Sequence, residues 1–93
     1  MSHWVYIIYS SSVDTYYRGQ NDNLQERIRR HNNGWEKSTK SGLPWKLVWY
    51  SEVKDRAAAV ILERKLKNLS RLRLLDFISK YTDGVAGPDD PDR

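Results

Sequence analysis

A short apolar run near the N-terminus, Trp4-Val5-Tyr6-Ile7-Ile8-Tyr9, decides the fold. Because β-branched and aromatic residues fill it with no alternating polar face, the run predicts a strand that is buried on both faces. The polar stretch 10–15 predicts a turn, and Tyr16-Tyr17-Arg18 predicts a second strand that completes a hairpin. Gly19 is predicted to end that strand, where the backbone needs a close approach or an unusual angle.

The residues that follow predict one more strand and three helices. Residues 45–50, centred on Leu47-Val48-Trp49, predict the third strand. Polar residues with capping spacing precede each apolar helical stretch and predict where the helices begin. These residues are Asn23 or, in an equally good frame, Asp22 for the first helix, then Asp55 and Ser70. The resulting order predicts an α+β fold (an α/β sandwich): a small three-stranded antiparallel sheet flanked by helices, β-β-α-β-α-α.

Apolar residues at helical spacing predict which helix faces are buried. They are Leu62, Leu66 and Leu69 on the second helix, and Leu74, Leu75, Ile78 and Tyr81 on the third. Among the tryptophans, Trp49 is predicted to lie in the core. Trp35 and Trp45 stand in or beside basic segments and are predicted to be exposed, where they could stack on bases.

Length and composition indicate one small domain with an acidic end. The 93 residues suit a single domain over residues 1–81, and the Gly, Pro and Asp content of residues 82–93 predicts a disordered acidic tail. Because the tail contributes a net charge of −3 to a total of +4, the body carries +7 and favours an acidic partner such as nucleic acid.

The absence of cysteine excludes disulfides, thiolate zinc sites and a cysteine nucleophile. The apolar run at 4–9 is too short to span a bilayer, so we expect a cytoplasmic protein with no membrane partner.

Arg27 and His31 are the first pair of residues that could carry chemistry. They lie four residues apart on the first predicted helix, so they face the same way. A guanidinium can hold a phosphate through two hydrogen bonds, and an imidazole can transfer a proton near neutral pH. Alternatively, the two residues join Arg29 and Arg30 in a solvated basic surface.

Glu63 and the hairpin tyrosines are the other candidates. Glu63 could be a ligand of a hard cation such as Mg²⁺ or Mn²⁺, or it could form an ordinary helix pair with Lys67 one turn later. Tyr6 and Tyr17 could act on a water molecule or a phosphate, although most buried tyrosines belong to the core. No Gly-rich phosphate loop, His-rich metal spacing or nucleophilic serine motif accompanies them in the sequence.

In their order along the chain, these residues resemble the GIY-YIG nuclease superfamily, most closely its small stand-alone bacterial branch. The stretch Trp4-Val5-Tyr6 keeps the tyrosine of the first motif and has Trp4 in place of its glycine. The stretch Tyr17-Arg18-Gly19 keeps the Tyr and Gly of the second motif. Further matches are Arg27, the His-or-Tyr position at His31, a Thr-containing loop leading into the third strand at 38–48, Glu63 and the downstream Lys67. The resemblance covers residues 4–80.

The resemblance implies a metal-dependent endonuclease that hydrolyses phosphodiester bonds in DNA, acts in repair or recombination, and uses one Mg²⁺ or Mn²⁺ ion. The catalytic residues that it implies are Tyr6, Tyr17, Gly19, Arg27, His31 and Glu63. The residues that it implies for nucleic-acid contact are Arg18, Arg30, Thr39, Lys40 and Lys67.

The family mechanism assigns each of these residues a role. Glu63 would hold the ion, and Arg27 would stabilise charge on the phosphate. Tyr6, or Tyr17 as the alternative, would help to deprotonate the attacking water, with His31 assisting. A free phenol titrates near ~10, so the pKa of Tyr6 would need to be lowered by the ion or by Arg27.

Two functions of other classes stay open at the level of sequence. One is a non-catalytic or weakly active nucleic-acid-binding module with the same fold, and the other is a plain protein-interaction domain. Relatives usually gain substrate choice from an attached second domain. We therefore expect low selectivity, or selectivity for branched or damaged DNA that a protein partner supplies.

Overall fold

The computed structural model describes residues 3–34 and 40–81. These residues form a three-stranded antiparallel sheet and three α-helices, which confirms the predicted α+β fold and element order. The elements are β1 (His3–Ser10), β2 (Thr15–Asn21), α1 (Leu24–Asn32), β3 (Lys46–Val53), α2 (Arg56–Lys67) and α3 (Arg71–Lys80), with a short 3-10 helix at Lys40–Gly42 before β3.

Strand β1 is central in the sheet, which has the order β2-β1-β3. Its alternate residues enter two different cores, as the unbroken apolar run predicted. Val5 and Ile7 pack in a cluster with Trp49 and with residues of α2 and α3. Tyr6 and Ile8 pack on the opposite face, under α1 and beside Trp45. The sheet is therefore sandwiched, and the candidate catalytic residues lie on β1, β2 and the two helices that contact them, α1 and α2.

Each helix begins at a capping residue that the sequence predicted. The side chain of Asn23 accepts a hydrogen bond from the backbone N–H of Glu26 at 3.1 Å, which selects Asn23 over Asp22 as the cap of α1. Asp55 caps α2 in the same way through the N–H of Ala58 at 2.9 Å, and Ser70 caps α3. The caps fix where α1 and α2 start, and hence the register in which their functional side chains are presented.

Two predictions about burial were wrong. Trp45 is 6% exposed rather than on the surface, because it packs against Tyr6 and Ile8 in the core under α1. On α3, Leu75 is 36% exposed and Phe77 replaces it on the inner face, with its ring 5.1 Å from that of Trp49. The first error underestimated burial, and the second chose the wrong apolar residue for the inner face of α3.

Some predictions fall outside the described residues. These are the exposure of Trp35, the position of Thr39 and the acidic tail at 82–93. Within 3–34 and 40–81, no helix has the length and apolar character needed to cross a membrane.

Candidate active site over strand β2

Tyr6 and Gly19 form the floor of the site, and the ring of Tyr6 requires a glycine at position 19. The two residues are register partners in the β1–β2 ladder. Tyr6 is 1% exposed, and its ring lies across Gly19 so closely that a Cβ atom there would stand 2.5 Å from Tyr6 Cζ. Gly19 is therefore needed for close approach, and the prediction that it ends the strand was wrong because β2 continues to Asn21.

His31 lies between the two tyrosines. Its Nε2 is 2.9 Å from Tyr6 Oη, and its ring centroid is 5.9 Å from that of Tyr6 and 5.2 Å from that of Tyr17. The residue is 0% exposed. Through its hydrogen bond, His31 can influence chemistry at the hydroxyl group of Tyr6.

Arg27 completes the hydrogen bonds of the Tyr6 hydroxyl group. It lies one helical turn before His31, and its side chain is hydrogen-bonded to Tyr6. A guanidinium only donates, so Tyr6 Oη is the acceptor of that bond. In the imidazole tautomer with a bare Nε2, the phenol donates its proton to His31 Nε2. The sequence prediction that Arg27 and His31 act on one face of α1 agrees with this geometry.

Burial raises the pKa of Tyr6 to about 12, and electrostatic interactions with Tyr17 and Glu63 act in the same direction. The hydrogen bond and charge of Arg27 lower the pKa but do not outweigh burial. Arg27 therefore does not lower the pKa of Tyr6 far enough for the phenol to act as a base. Near neutral pH the phenol is protonated and acts as a hydrogen-bonding group.

Glu63 lies on α2, which packs against β1 and β2, and its charge contributes to the raised pKa of Tyr6. Its side chain is 19% exposed, and its Oε2 lies 3.5 Å from Lys67 Nζ. The helix pair that the sequence allowed is thus present, and it leaves the carboxylate partly open. The functional and structural interpretations of Glu63 are both compatible with this arrangement.

The donor set suits one weakly held hard cation. Within 3–34 and 40–81 there is no group of three or more His, Cys, Asp or Glu that could enclose a metal ion. Mg²⁺ in phosphoryl-transfer sites commonly binds one or two carboxylates, several waters and the substrate phosphates. A single open carboxylate at Glu63 fits that pattern and does not fit a closed site made by the protein alone.

The residues predicted to contact nucleic acid occupy different surroundings. Arg18 pairs with Ile7 on the face of the sheet that α2 covers, and its Nη2 donates to Leu69 O at 3.5 Å. Burial lowers the pKa of Arg18. This side chain therefore has a visible structural role, joining β2 to the turn between α2 and α3. Arg30 is half-buried, and Lys40 and Lys67 are exposed. Nucleic-acid contact by any of them stays a prediction.

Asn32 is a positioning residue that sequence reasoning treated only as a helix end. Its Nδ2 donates to Trp45 O at 3.0 Å, and its Oδ1 accepts from Trp45 N at 2.6 Å. Trp45 is thereby fixed with its ring 6.3 Å from that of Tyr17, and it also packs on Gly42, where a Cβ atom would lie 2.8 Å from Cε2 of the indole. The sequence offered one signal for this role, the Asn side chain directly after His31. An Asn side chain both donates and accepts, so it can pair with the N–H and C=O of a backbone residue.

We expect His31→Phe to lower the free energy of unfolding by about 1–3 kcal/mol, because it leaves the buried Tyr6 hydroxyl group without its acceptor. Urea denaturation measures the change. The double variant Tyr6→Phe/His31→Phe is the control, since replacing both partners with apolar rings removes the unpaired group. Stability losses that simply add in the double variant would contradict the hydrogen bond as described.

The raised pKa of Tyr6 predicts a loss of stability in alkali. The folded-state pKa of about 12 exceeds the ordinary value of 10.0. The contribution of Tyr6 is therefore complete below pH 10 and is lost as the pH rises toward 12. Between about pH 9 and about pH 11, the wild type should lose about 1 kcal/mol more of its free energy of unfolding than Tyr6→Phe does. Urea denaturation at the two pH values tests this, and parallel losses in both proteins would refute it.

Comparisons with known proteins agree with this geometry. Residues 2–76 match the family model described as GIY-YIG catalytic domain. The chain is 35% identical over 77 residues to a UPF0213 protein of Clostridium perfringens, covering 82% of each chain. It is 34% identical over 79 residues to a UPF0213 protein of Syntrophus aciditrophicus, covering 83% of this chain and 90% of the relative.

A solved structure is also similar. The solution NMR structure of a UPF0213 protein from Bacillus halodurans superposes with a TM-score of 0.59 at 28% identity, covering 88% of this chain and 87% of that one. None of these relatives' names states a reaction, so the chemistry has to be argued from the residues of the site.

Proposed function

The chain belongs to the GIY-YIG catalytic domain family, and on that premise we propose that it is a divalent-metal-dependent endonuclease that hydrolyses phosphodiester bonds in DNA. The observation that carries the proposal is the convergence on one phenol. Tyr6 is seated on Gly19, hydrogen-bonded by Arg27 and His31, and acted on by the charge of Glu63. Hydrogen-bond donors and a carboxylate grouped in this way suit the charge that develops on a phosphate.

Each residue has a separate task in the proposed reaction. Arg27 binds a non-bridging oxygen of the scissile phosphate and balances its growing negative charge. Glu63 would hold one Mg²⁺ or Mn²⁺ ion, which when bound supplies Lewis-acid stabilisation of the phosphate. Tyr6 orients the attacking water with its hydroxyl oxygen. As that oxygen takes the water's proton, its own proton passes to His31 Nε2, so the buried imidazole is the final acceptor.

Two observations favour the second candidate, a nucleic-acid-binding module with little or no activity. The pKa of Tyr6 is raised rather than lowered, and Lys67 Nζ lies 3.5 Å from the Glu63 carboxylate that would hold the metal. Both features would slow hydrolysis without preventing the basic body from binding DNA. This candidate predicts salt-dependent binding to DNA and no metal-dependent nicking.

Nicking of supercoiled plasmid and of a branched DNA junction distinguishes the candidates. The purified chain is incubated with each substrate in Mg²⁺, in Mn²⁺ and in excess EDTA. The endonuclease proposal requires nicking that depends on the metal and is lost in Glu63→Gln. It also requires that nicking is retained in Asp76→Asn, a matched carboxylate-to-amide change on the exposed side of α3. Binding without nicking in every metal condition would establish the second candidate instead.

Loss of the Glu63 carboxylate is expected to change metal affinity more than folding. A neutral amide oxygen is a much weaker ligand for Mg²⁺ or Mn²⁺ than a carboxylate. We expect Glu63→Gln to need on the order of a hundredfold more Mn²⁺ for half-maximal nicking, in line with the loss seen when ligand support is removed. Electron paramagnetic resonance of free Mn²⁺ measures binding without reference to activity. Equal Mn²⁺ affinity in the variant and the parent would remove Glu63 as the ligand.

A further inference from the structure

A groove of about 720 Å³ lies beside α1, away from the catalytic side chains. Gln25 and Arg29 line it from the helix, whereas Arg27 and His31 project from the other flank of the same helix. Leu24 and Ile28, which face the sheet, close its inner wall. We call this cavity the Trp4–Tyr50 groove after the two aromatic residues on its strand side.

The strand side of the Trp4–Tyr50 groove is an accessible aromatic surface. The rings of Trp4 and Tyr50 lie 5.9 Å apart and are tilted by 53°, and Tyr50 is 38% exposed. Tyr50 is the register partner of Tyr6 on the neighbouring strand, so the groove begins directly beside the strand that carries the catalytic tyrosine. An aromatic pair that stays accessible next to a catalytic strand is a surface on which a planar ligand can stack.

The edge of the Trp4–Tyr50 groove is polar in a way that suits a nucleobase. The Gln25 amide both donates and accepts hydrogen bonds, and the Asp22 carboxylate accepts them, whereas Arg29 is already paired with Glu26 at 2.7 Å. Unpaired bases are recognised by stacking on aromatic rings and by hydrogen bonds to their edges. A purely apolar partner would displace water from the Gln25 amide without replacing its hydrogen bonds.

We propose that the Trp4–Tyr50 groove binds an unpaired base of the DNA strand that the site cuts, an inference that rests on the proposed function. The body of the chain carries a net charge of +7, which attracts a polyanion rather than a second copy of the same basic chain. The groove and the site are separated by the width of α1, about 10 Å, or roughly three nucleotides of a strand. Single-stranded or frayed DNA is therefore the preferred substrate class.

This assignment replaces the stacking residues expected from the sequence. Trp45 was expected to stack on bases, but it is enclosed by Asn32, Gly42 and Tyr17. Trp4 stands where the family motif has a glycine, and that position opens onto the groove. The aromatic surface for a base is thus supplied by β1 and β3.

Binding measured without catalysis tests the proposal. In EDTA, the dissociation constants of three fluorescent ligands are compared: a short oligothymidylate, the same oligomer with abasic sugars, and a blunt duplex. The wild type should bind the oligothymidylate about tenfold more tightly than the abasic strand, since one stacked base contributes that much. Tyr50→Ser should remove most of this difference and leave the affinity for the abasic strand unchanged.

Two controls separate stacking from general effects. Leu72→Ser changes another exposed apolar residue, 80% exposed on α3, and should leave all three dissociation constants unchanged. The salt dependence of binding should be the same in Tyr50→Ser and the wild type, because phosphate contacts are untouched. Trp4→Phe, which keeps a ring, should retain the preference for the base-containing strand.

The results that would overturn the groove assignment differ from those that would overturn the endonuclease proposal. Tyr50→Ser that weakens all ligands equally, or none, overturns it. So does a wild-type dimer in sedimentation analysis that Tyr50→Ser dissociates, which would assign the groove to a second copy. A chain that nicks DNA without a preference for unpaired bases refutes this inference alone. Base-selective binding without metal-dependent nicking refutes the endonuclease and leaves the groove assignment standing.

Discussion

Gly19→Ala is expected to abolish measurable nicking and to lower the free energy of unfolding by about 1–3 kcal/mol, the usual range for overpacking a filled interior. The new Cβ atom would stand 2.5 Å from Tyr6 Cζ, well inside van der Waals contact. Tyr6 cannot swing away freely, since it is 1% exposed and its hydroxyl group is bonded to His31. Displacing a catalytic group by about 1 Å can cost on the order of a hundredfold in rate.

A double-mutant cycle isolates this cause. In a Tyr6→Ala background the space over Gly19 is empty, so Gly19→Ala should carry little stability penalty there. Urea denaturation of the four proteins gives the coupling, and plasmid nicking gives the activity of the single variant. A Gly19→Ala penalty of the same size in both backgrounds would show that the strand backbone, and not the tyrosine ring, demands the glycine.

Arg27→Ala is expected to reduce nicking by about 10²–10³-fold while the fold is retained, because it removes the charged donor aimed at the phosphate. Arg27→Lys should recover only part of the loss, since an ammonium keeps the charge but cannot form the two parallel hydrogen bonds of a guanidinium. Arg27 also donates to Tyr6, so its loss withdraws one of the influences that lower the pKa of that phenol. Single-turnover nicking rates at saturating DNA measure the effect.

The control for Arg27 is Arg73→Ala, which removes an equal charge from the exposed face of α3. It should weaken DNA binding slightly through the overall charge and leave the single-turnover rate unchanged. A rate in Arg27→Ala within a fewfold of the parent would mean that the phosphate is stabilised elsewhere.

The sheet and the helix starts could be predicted because their determinants are local. Strand β1 is an apolar run without alternation, and that pattern has one stable solution, burial on both faces. Asn23, Asp55 and Ser70 cap their helices through backbone groups three residues away. The choice between Asn23 and Asp22 stayed open because both frames offer the same local hydrogen bond.

The mistaken predictions concern contacts made across the fold. Gly19 lies in mid-strand because of a ring from β1, and Trp45 is buried because Asn32 pairs with its backbone. Neither contact could be predicted from the spacing of apolar residues along the chain. Phe77 rather than Leu75 faces inward because the wide ring of Trp49 lies opposite.

The candidate site residues were predicted from their type and their order along the chain, whereas the contacts among them needed the structure. Arg27 and His31 were placed on one helix face, but spacing could not tell that His31 is 0% exposed and hydrogen-bonded to Tyr6. The pKa of Tyr6 is raised mainly by burial, and burial cannot be read from the type of the residue alone. The surroundings of Arg18 could not be predicted from the sequence either. Its guanidinium donates to Leu69 O because Arg18 lies on the face of the sheet that α2 covers.

The paired hydrogen bonds between Asn32 and Trp45 tie together the two ends of the connection from α1 to β3. A connection fastened at its base can change in length without disturbing what lies below it, and doubling its length costs only about 0.6 kcal/mol of closure entropy. Sequence inserted between Gly34 and Lys40 would therefore be tolerated beside an unaltered catalytic tyrosine. This makes the connection a natural place for evolution, or for protein engineering, to insert a recognition segment.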